Sequence, residues 1–175
     1  CGEEVLRQKD DLGQTCAHYA GNGGQLEGLR YLAETCGEEL LREKDDDGRT
    51  CVNAASRGGF LEIVQYLADT CGEELLREKS NNGKTCAHYA SRGGHLEVLR
   101  YLAERCGEGL LREKDNDGNT CAHEASNRGY LEVLRYFAER CGEELLREKD
   151  QNGQSCAALA RGSDVKDYLT SLGIE

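Results

Sequence analysis

Self-similarity at a fixed spacing of 35 residues constrains this chain more than any other feature. Cut at each Cys-Gly, its 175 residues fall into five units that begin CGEEVLRQKD, CGEELLREKD, CGEELLREKS, CGEGLLREKD and CGEELLREKD. A period of this length marks an array of small supersecondary units, none able to bury its apolar face alone. The expected organisation is one array, residues 1–175, with units 1–35, 36–70, 71–105, 106–140 and 141–175. Composition agrees with a stack rather than a round core. Apolar residues make up 38%, with two Phe and no Trp or Met, and thin Leu- and Ala-rich layers need few bulky side chains.

The third unit, CGEELLREKSNNGKTCAHYASRGGHLEVLRYLAER, shows the pattern most clearly. Asn81-Asn82-Gly83 is a strong turn signal, as are Asp46-Asp47-Gly48 and Asn116-Asp117-Gly118, because these residue types tolerate positive φ. Thr85 follows as a candidate N-cap for a short helix from Cys86 to about Arg92, which Gly93-Gly94 breaks. A second helix is expected from His95 to about Arg105, where Leu96, Val98, Leu99, Leu102 and Ala103 form one helical stripe. Gly107 suits a left-handed C-terminal position. Neither helix is long enough to hold alone, so each must bury its stripe against neighbouring units.

The recurrent run D-x-x-G-x-T-C-A-H-Y-A-S-x-G-G-H-L-E-V-L-R-Y-L-A-E resembles the ankyrin repeat. Thr15–Ala20, Thr85–Ala90 and Thr120–Ala125 stand where ankyrins carry Thr-Pro-Leu-His-x-Ala, and Gly94–Val98 matches the opening of the family's second helix. The resemblance covers the whole chain and implies an all-α solenoid of stacked helix-turn-helix units. Cys replaces the motif Pro in every unit, and the motif His becomes Asn53 and Ala158. Each unit also exceeds the family's usual 33 residues by two, with the surplus in Glu-Glu-Leu-Leu-Arg-Glu-Lys. That segment is read as an extra helical turn that tucks its Leu pair against the stack. After Ala160 the last unit departs from the pattern, and its shorter, more polar final helix suits a C-terminal cap.

Chemistry finds little support. Ten cysteines suggest a disulfide framework, but they occur two per unit, at Cys1/Cys16, Cys36/Cys51, Cys71/Cys86, Cys106/Cys121 and Cys141/Cys156. One ancestral unit with two small buried thiols gives the same count. Two disulfide registers stay open, Cys106 with Cys86 or with Cys121, the first leaving Cys1 and Cys156 unpaired; reduced thiols are the favoured reading. Zinc is disfavoured, since Cys86 and His88 diverge by about 200° around a helix. The resemblance implies instead that His18, His88 and His123 hydrogen-bond backbone between repeats. No catalytic constellation stands apart from the repeated framework, so no enzyme and no cofactor are expected. A net charge of −11 argues against nucleic acid, and no apolar stretch or signal peptide points to a membrane. The start at Cys1 is read as an excised or processed fragment. Arg30, Gln65, Arg100 and Arg135, beside Tyr31, Tyr66, Tyr101 and Tyr136, read as an outer charged face.

Specificity can be written only where the units differ. Those positions are the tips (Leu12 and Gln14; Asp46, Asp47 and Arg49; Asn81, Asn82 and Lys84; Asn116, Asp117 and Asn119) and one first-helix position (Tyr19, Tyr89, Glu124). By the resemblance they line a concave groove that meets a protein partner. The expectation is therefore a monomeric, intracellular interaction scaffold. The alternative is an engineered or consensus-like array with no natural ligand, which the near-identical Leu-Leu-Arg-Glu-Lys segments favour.

Overall fold

A computed structural model describes residues 2–175, so Cys1 and any pairing it enters lie outside the described residues. All regular structure among them is helical. Each unit opens with a short helix: α1 (Gly2–Leu6), α4 (Glu39–Arg42), α7 (Glu73–Arg77), α10 (Gly109–Arg112) and α13 (Glu144–Arg147). The first long helices are α2 (Cys16–Asn22), α5 (Cys51–Gly58), α8 (Cys86–Gly93) and α11 (Cys121–Arg128). The second are α3 (Leu26–Cys36), α6 (Leu61–Cys71), α9 (Leu96–Cys106) and α12 (Leu131–Cys141), followed by α14 (Ser163–Ser171) in the last unit.

Local chemistry explains these boundaries. At the start of α8 the Thr85 amide donates to Nδ1 of His88 (3.2 Å), closing a capping box that recurs at Thr15, Thr50 and Thr120. At its end Gly94 is left-handed, and its N–H reaches the Ala90 and Ser91 carbonyls. The second helices stop differently from the expectation. Gly107 has φ 79° but ψ 164°, an extended positive-φ conformation rather than the left-handed helical one.

The first helices pack side by side, α2 on α5, α5 on α8 and α8 on α11, while α6, α9 and α12 form a second row. One continuous core runs through the stack from Ala17 to Ile174. The surplus segment is the expected helical turn: Leu40, Leu41, Leu75, Leu76, Leu110, Leu111, Leu145 and Leu146 are fully buried. Each such leucine contributes roughly 1.5–3 kcal/mol of burial. The arginine that follows caps the end of its own unit's second helix, as Arg77 of α7 does at the Cys106 carbonyl that ends α9 (2.6 Å). Arg7, Arg42 and Arg112 do the same at Cys36, Cys71 and Cys141.

Two ladders join the units. Asn81 N–H donates to the Asp47 carbonyl (2.9 Å) and Asn116 N–H to that of Asn82 (3.0 Å), so successive tips are hydrogen-bonded edge to edge. Lys44, Lys79 and Lys114 each pair with a glutamate of the next unit, Glu78, Glu113 and Glu148, at 2.9 Å. The outer arginines do more than face water. Arg30 lies over the Tyr66 ring (5.4 Å), Arg100 over Tyr136 (5.0 Å) and Arg135 over Tyr168 (4.7 Å), each bridging to the following unit.

Candidate functional site

The motif histidines are structural. Nδ1 of His88 accepts the Thr85 amide, so the ring proton sits on Nε2, which donates to the Asn119 carbonyl of the next unit (3.2 Å). His18 and His123 make the same link to Arg49 (2.9 Å) and Gln154 (3.2 Å). Burial holds His88 and His123 below the ordinary histidine pKa, in keeping with a neutral imidazole. Asn53 is too short for this reach. Its Oδ1 accepts the Thr50 amide at 2.9 Å, and its Nδ2 is buried without a partner.

The nine described cysteines are free. Cys51 and Cys86 donate to the carbonyls of Leu41 (3.2 Å) and Leu76 (3.0 Å). Burial pushes the thiols of Cys51, Cys86 and Cys121 well up, and that of Cys156 up to about 12, which suppresses the nucleophilic thiolate. Among the described residues no cluster of three or more His, Cys, Asp or Glu is placed to hold a metal ion. None of their helices is long and apolar enough to cross a membrane.

The positions that vary between units occupy the tips and the exposed side of the first helices, but they are not equivalent. Leu12 projects into solvent, 60% exposed, and Asp46, Asp47, Asn82 and Asp117 are exposed at the tips. Asn81 and Asn116 use their side-chain amides within the ladder, on the carbonyls of Asp46 and Asn81 (both 2.9 Å). Arg49 pairs with Asp45 and Asp47 (both 2.8 Å), and the Asn119 amide lies 3.3 Å from Asp115.

Along the first helices Tyr19 is 57% exposed and donates its hydroxyl to Asp10 (2.6 Å). That bond lowers the Asp10 pKa and raises that of Tyr19. Tyr89 and Glu124 were expected on the exposed face, yet retain only 9% and 7% exposure. Among the described residues α8 packs between α5 and α11, whereas α2, which carries Tyr19, packs against one first helix, α5. Glu124 is further covered by an ion pair with Lys84, whose ammonium also lies 3.6 Å from Asp115. Gln14, Tyr19, Arg49 and Tyr89 meet around a recess of about 140 Å³ over unit 2. It was not legible in the sequence, although the small Ala54 between Tyr19 and Tyr89 is the signal that produces it.

This arrangement defines a helical-repeat solenoid whose repeated residues hold the units together. A model of three tandem ankyrin repeats matches residues 1–78 and again 70–150, and the chain belongs to the ankyrin-repeat family. Its members are generally protein–protein interaction modules and typically non-catalytic scaffolds. No curated protein matches the chain.

Proposed function

We propose that the chain is a non-catalytic scaffold whose concave groove, built of turn tips and first-helix faces, receives a protein partner. One observation carries this reading. The residues repeated from unit to unit (Thr, His, the Leu pair, and the capping Arg and Lys) are engaged in stacking, whereas varied residues from units 1 to 3 converge on one concave recess. Aromatic and arginine side chains in a partly enclosed setting are the ones that most often dominate binding energy. The carboxylate-rich tips disfavour a phosphate backbone as partner. The same reading makes the chain an intracellular monomer, with units 1–35, 36–70, 71–105, 106–140 and 141–175 as one array and the last as its cap.

The test compares capture of partners by three immobilised baits: the intact chain, a concave variant and a convex one. The concave variant combines Leu12→Ala, Tyr19→Ala, Asp47→Ala and Asp117→Ala, all at exposed positions. The convex variant combines Arg30→Ala and Arg100→Ala. The groove reading expects partners retained by the intact chain and the convex variant and lost from the concave one. Partners indifferent to the concave set refute it, and a bait that retains nothing specific favours the array without a natural ligand.

A further inference from the structure

The recess over unit 2 owes its existence to two substitutions that coincide in that unit. Its row along the first helices reads Tyr19, Ala54, Tyr89, Glu124, so a methyl group lies between two aromatic rings. Both rings line the cavity together with Asn53, Ala54, Arg49 and Arg57, of which Asn53 is buried and Arg57 exposed. In the same unit Asn53 replaces the motif histidine. It is 2% exposed, and its Nδ2 is a buried donor left without a partner.

The lining selects the sign of an occupant. Three charged residues contribute, Asp45, Arg49 and Arg57. Asp45 is the single carboxylate, and it is already filled: Oδ1 accepts the Asp47 and Arg49 amides (3.0 and 2.8 Å), and Oδ2 accepts Arg49 Nε (2.8 Å). The guanidinium of Arg57 makes no hydrogen bond or ion pair among the described residues, and its backbone carbonyl is held by His95 Nε2 (2.8 Å). The recess therefore offers unsatisfied donors and no free acid. A cation meets two arginines there, and a purely apolar side chain leaves the Asn53 donor unsatisfied.

We propose that this recess anchors one acidic side chain, an aspartate or glutamate, of a protein partner. The stem lies between the Tyr19 and Tyr89 rings, and the carboxylate takes hydrogen bonds from Arg57 and from the Asn53 amide. The partner segment carries a single acid among neutral or basic residues, because the net charge of −11 repels a polyacidic one. The proposal rests on the concave-groove reading and specifies which chemistry that groove selects.

The test selects short random peptides, amidated at the C-terminus so that no terminal carboxylate competes, on the intact chain. Binding is then measured to Ala54→Tyr and Arg57→Asn. Both substitutions install residues that other units carry at the equivalent positions, Tyr19 and Tyr89 or Asn22 and Asn127. Arg57 is exposed, so Arg57→Asn keeps the test decisive even where filling the recess disturbs packing. The expected result is one Asp or Glu per peptide whose amide replacement weakens binding about ten-fold or more. Arg57→Asn should give a similar loss, and the two losses should not add.

Peptides that anchor through Lys or an apolar residue, or that ignore both substitutions, overturn the proposal. If such peptides still lose affinity to the concave variant (Leu12→Ala, Tyr19→Ala, Asp47→Ala, Asp117→Ala), the groove stands and only the acidic anchor falls. Peptides indifferent to every concave substitution, or no selectable peptide at all, overturn the groove as well.

Discussion

At the scale of single residues the motif histidine does two jobs, and Asn53 does one of them. The amide oxygen replaces Nδ1 at the Thr50 N–H, but the cross-unit bond is missing. In the other units that bond spans 31 residues, which places the missing partner at the Lys84 carbonyl, where the Ser80 amide (3.0 Å) leaves a second lone pair free. Asn53→His should restore it and raise stability by about 1 kcal/mol, read as a higher urea midpoint at unchanged slope. The neutral histidines set a second expectation. Burial lowers the folded-state pKa of His88 and His123 below 6.5, so the unfolded chain takes up protons first as pH falls. Their contribution is complete above about pH 6.5 and is lost as pH falls from there through the folded values, a window that His88→Asn should flatten in urea melts. Asp10 and Asp150, whose pKa values are lowered, contribute stability that is present above 3.8 and lost only below it. The histidine role was legible in the sequence because the family motif carries it. The orphaned Asn53 donor was not, since it arises from a reach that only three-dimensional spacing defines.

At the scale of elements, helix positions were legible to within about a residue, because Thr at one end and Gly at the other are chemical punctuation. The fully buried Leu pairs of α4, α7, α10 and α13 also followed from the sequence. What escaped it was the use of the tips. Asn81 and Asn116 read as free contact residues, whereas their amides tie one tip to the previous one. A sequence shows that Asn suits a turn but not which carbonyl its side chain meets. The tip geometry is exacting at Gly48, where φ is 72° and an added Cβ would lie 2.4 Å from Asn81 Oδ1 and 2.8 Å from Asn81 N. Gly48→Ala is therefore expected to cost more than about 1 kcal/mol, combining positive-φ strain with a displaced ladder. The same change at the equivalent tip position of the last unit, Gly153→Ala, has open space but a similar positive φ of 76° and should show the strain alone. The difference between the two melts measures what the tip contact contributes.

At the scale of the whole molecule, a one-dimensional stack makes stability local, and the units are not equally well held. Among the described residues Val5, Leu12, Tyr19 and Tyr31, all in unit 1, are four of the five large apolar residues left exposed, and α1 contains no buried residue. Unit 2 has neighbours on both sides and buries Leu40, Ala54 and Tyr66, the equivalents of Val5, Tyr19 and Tyr31, more completely. Nearest-neighbour energetics then predicts that amides of residues 2–35 exchange with solvent before those of residues 71–140, through partial opening at one end rather than global unfolding. Gly28 sharpens the test. It lies in α3 where the other units carry Ile63, Val98 and Val133, and an added Cβ would meet Gln25 and Ala20 at ordinary contact distances of 3.5 and 3.7 Å. Gly28→Ala should stabilise α3 by roughly 0.5–1 kcal/mol. Under nearest-neighbour coupling, hydrogen exchange slows across unit 1 and, more weakly, unit 2, while residues 106–140 keep their rates. A uniform slowing along the whole chain would show instead that the array opens as one cooperative body, and that its groove is rigid from end to end.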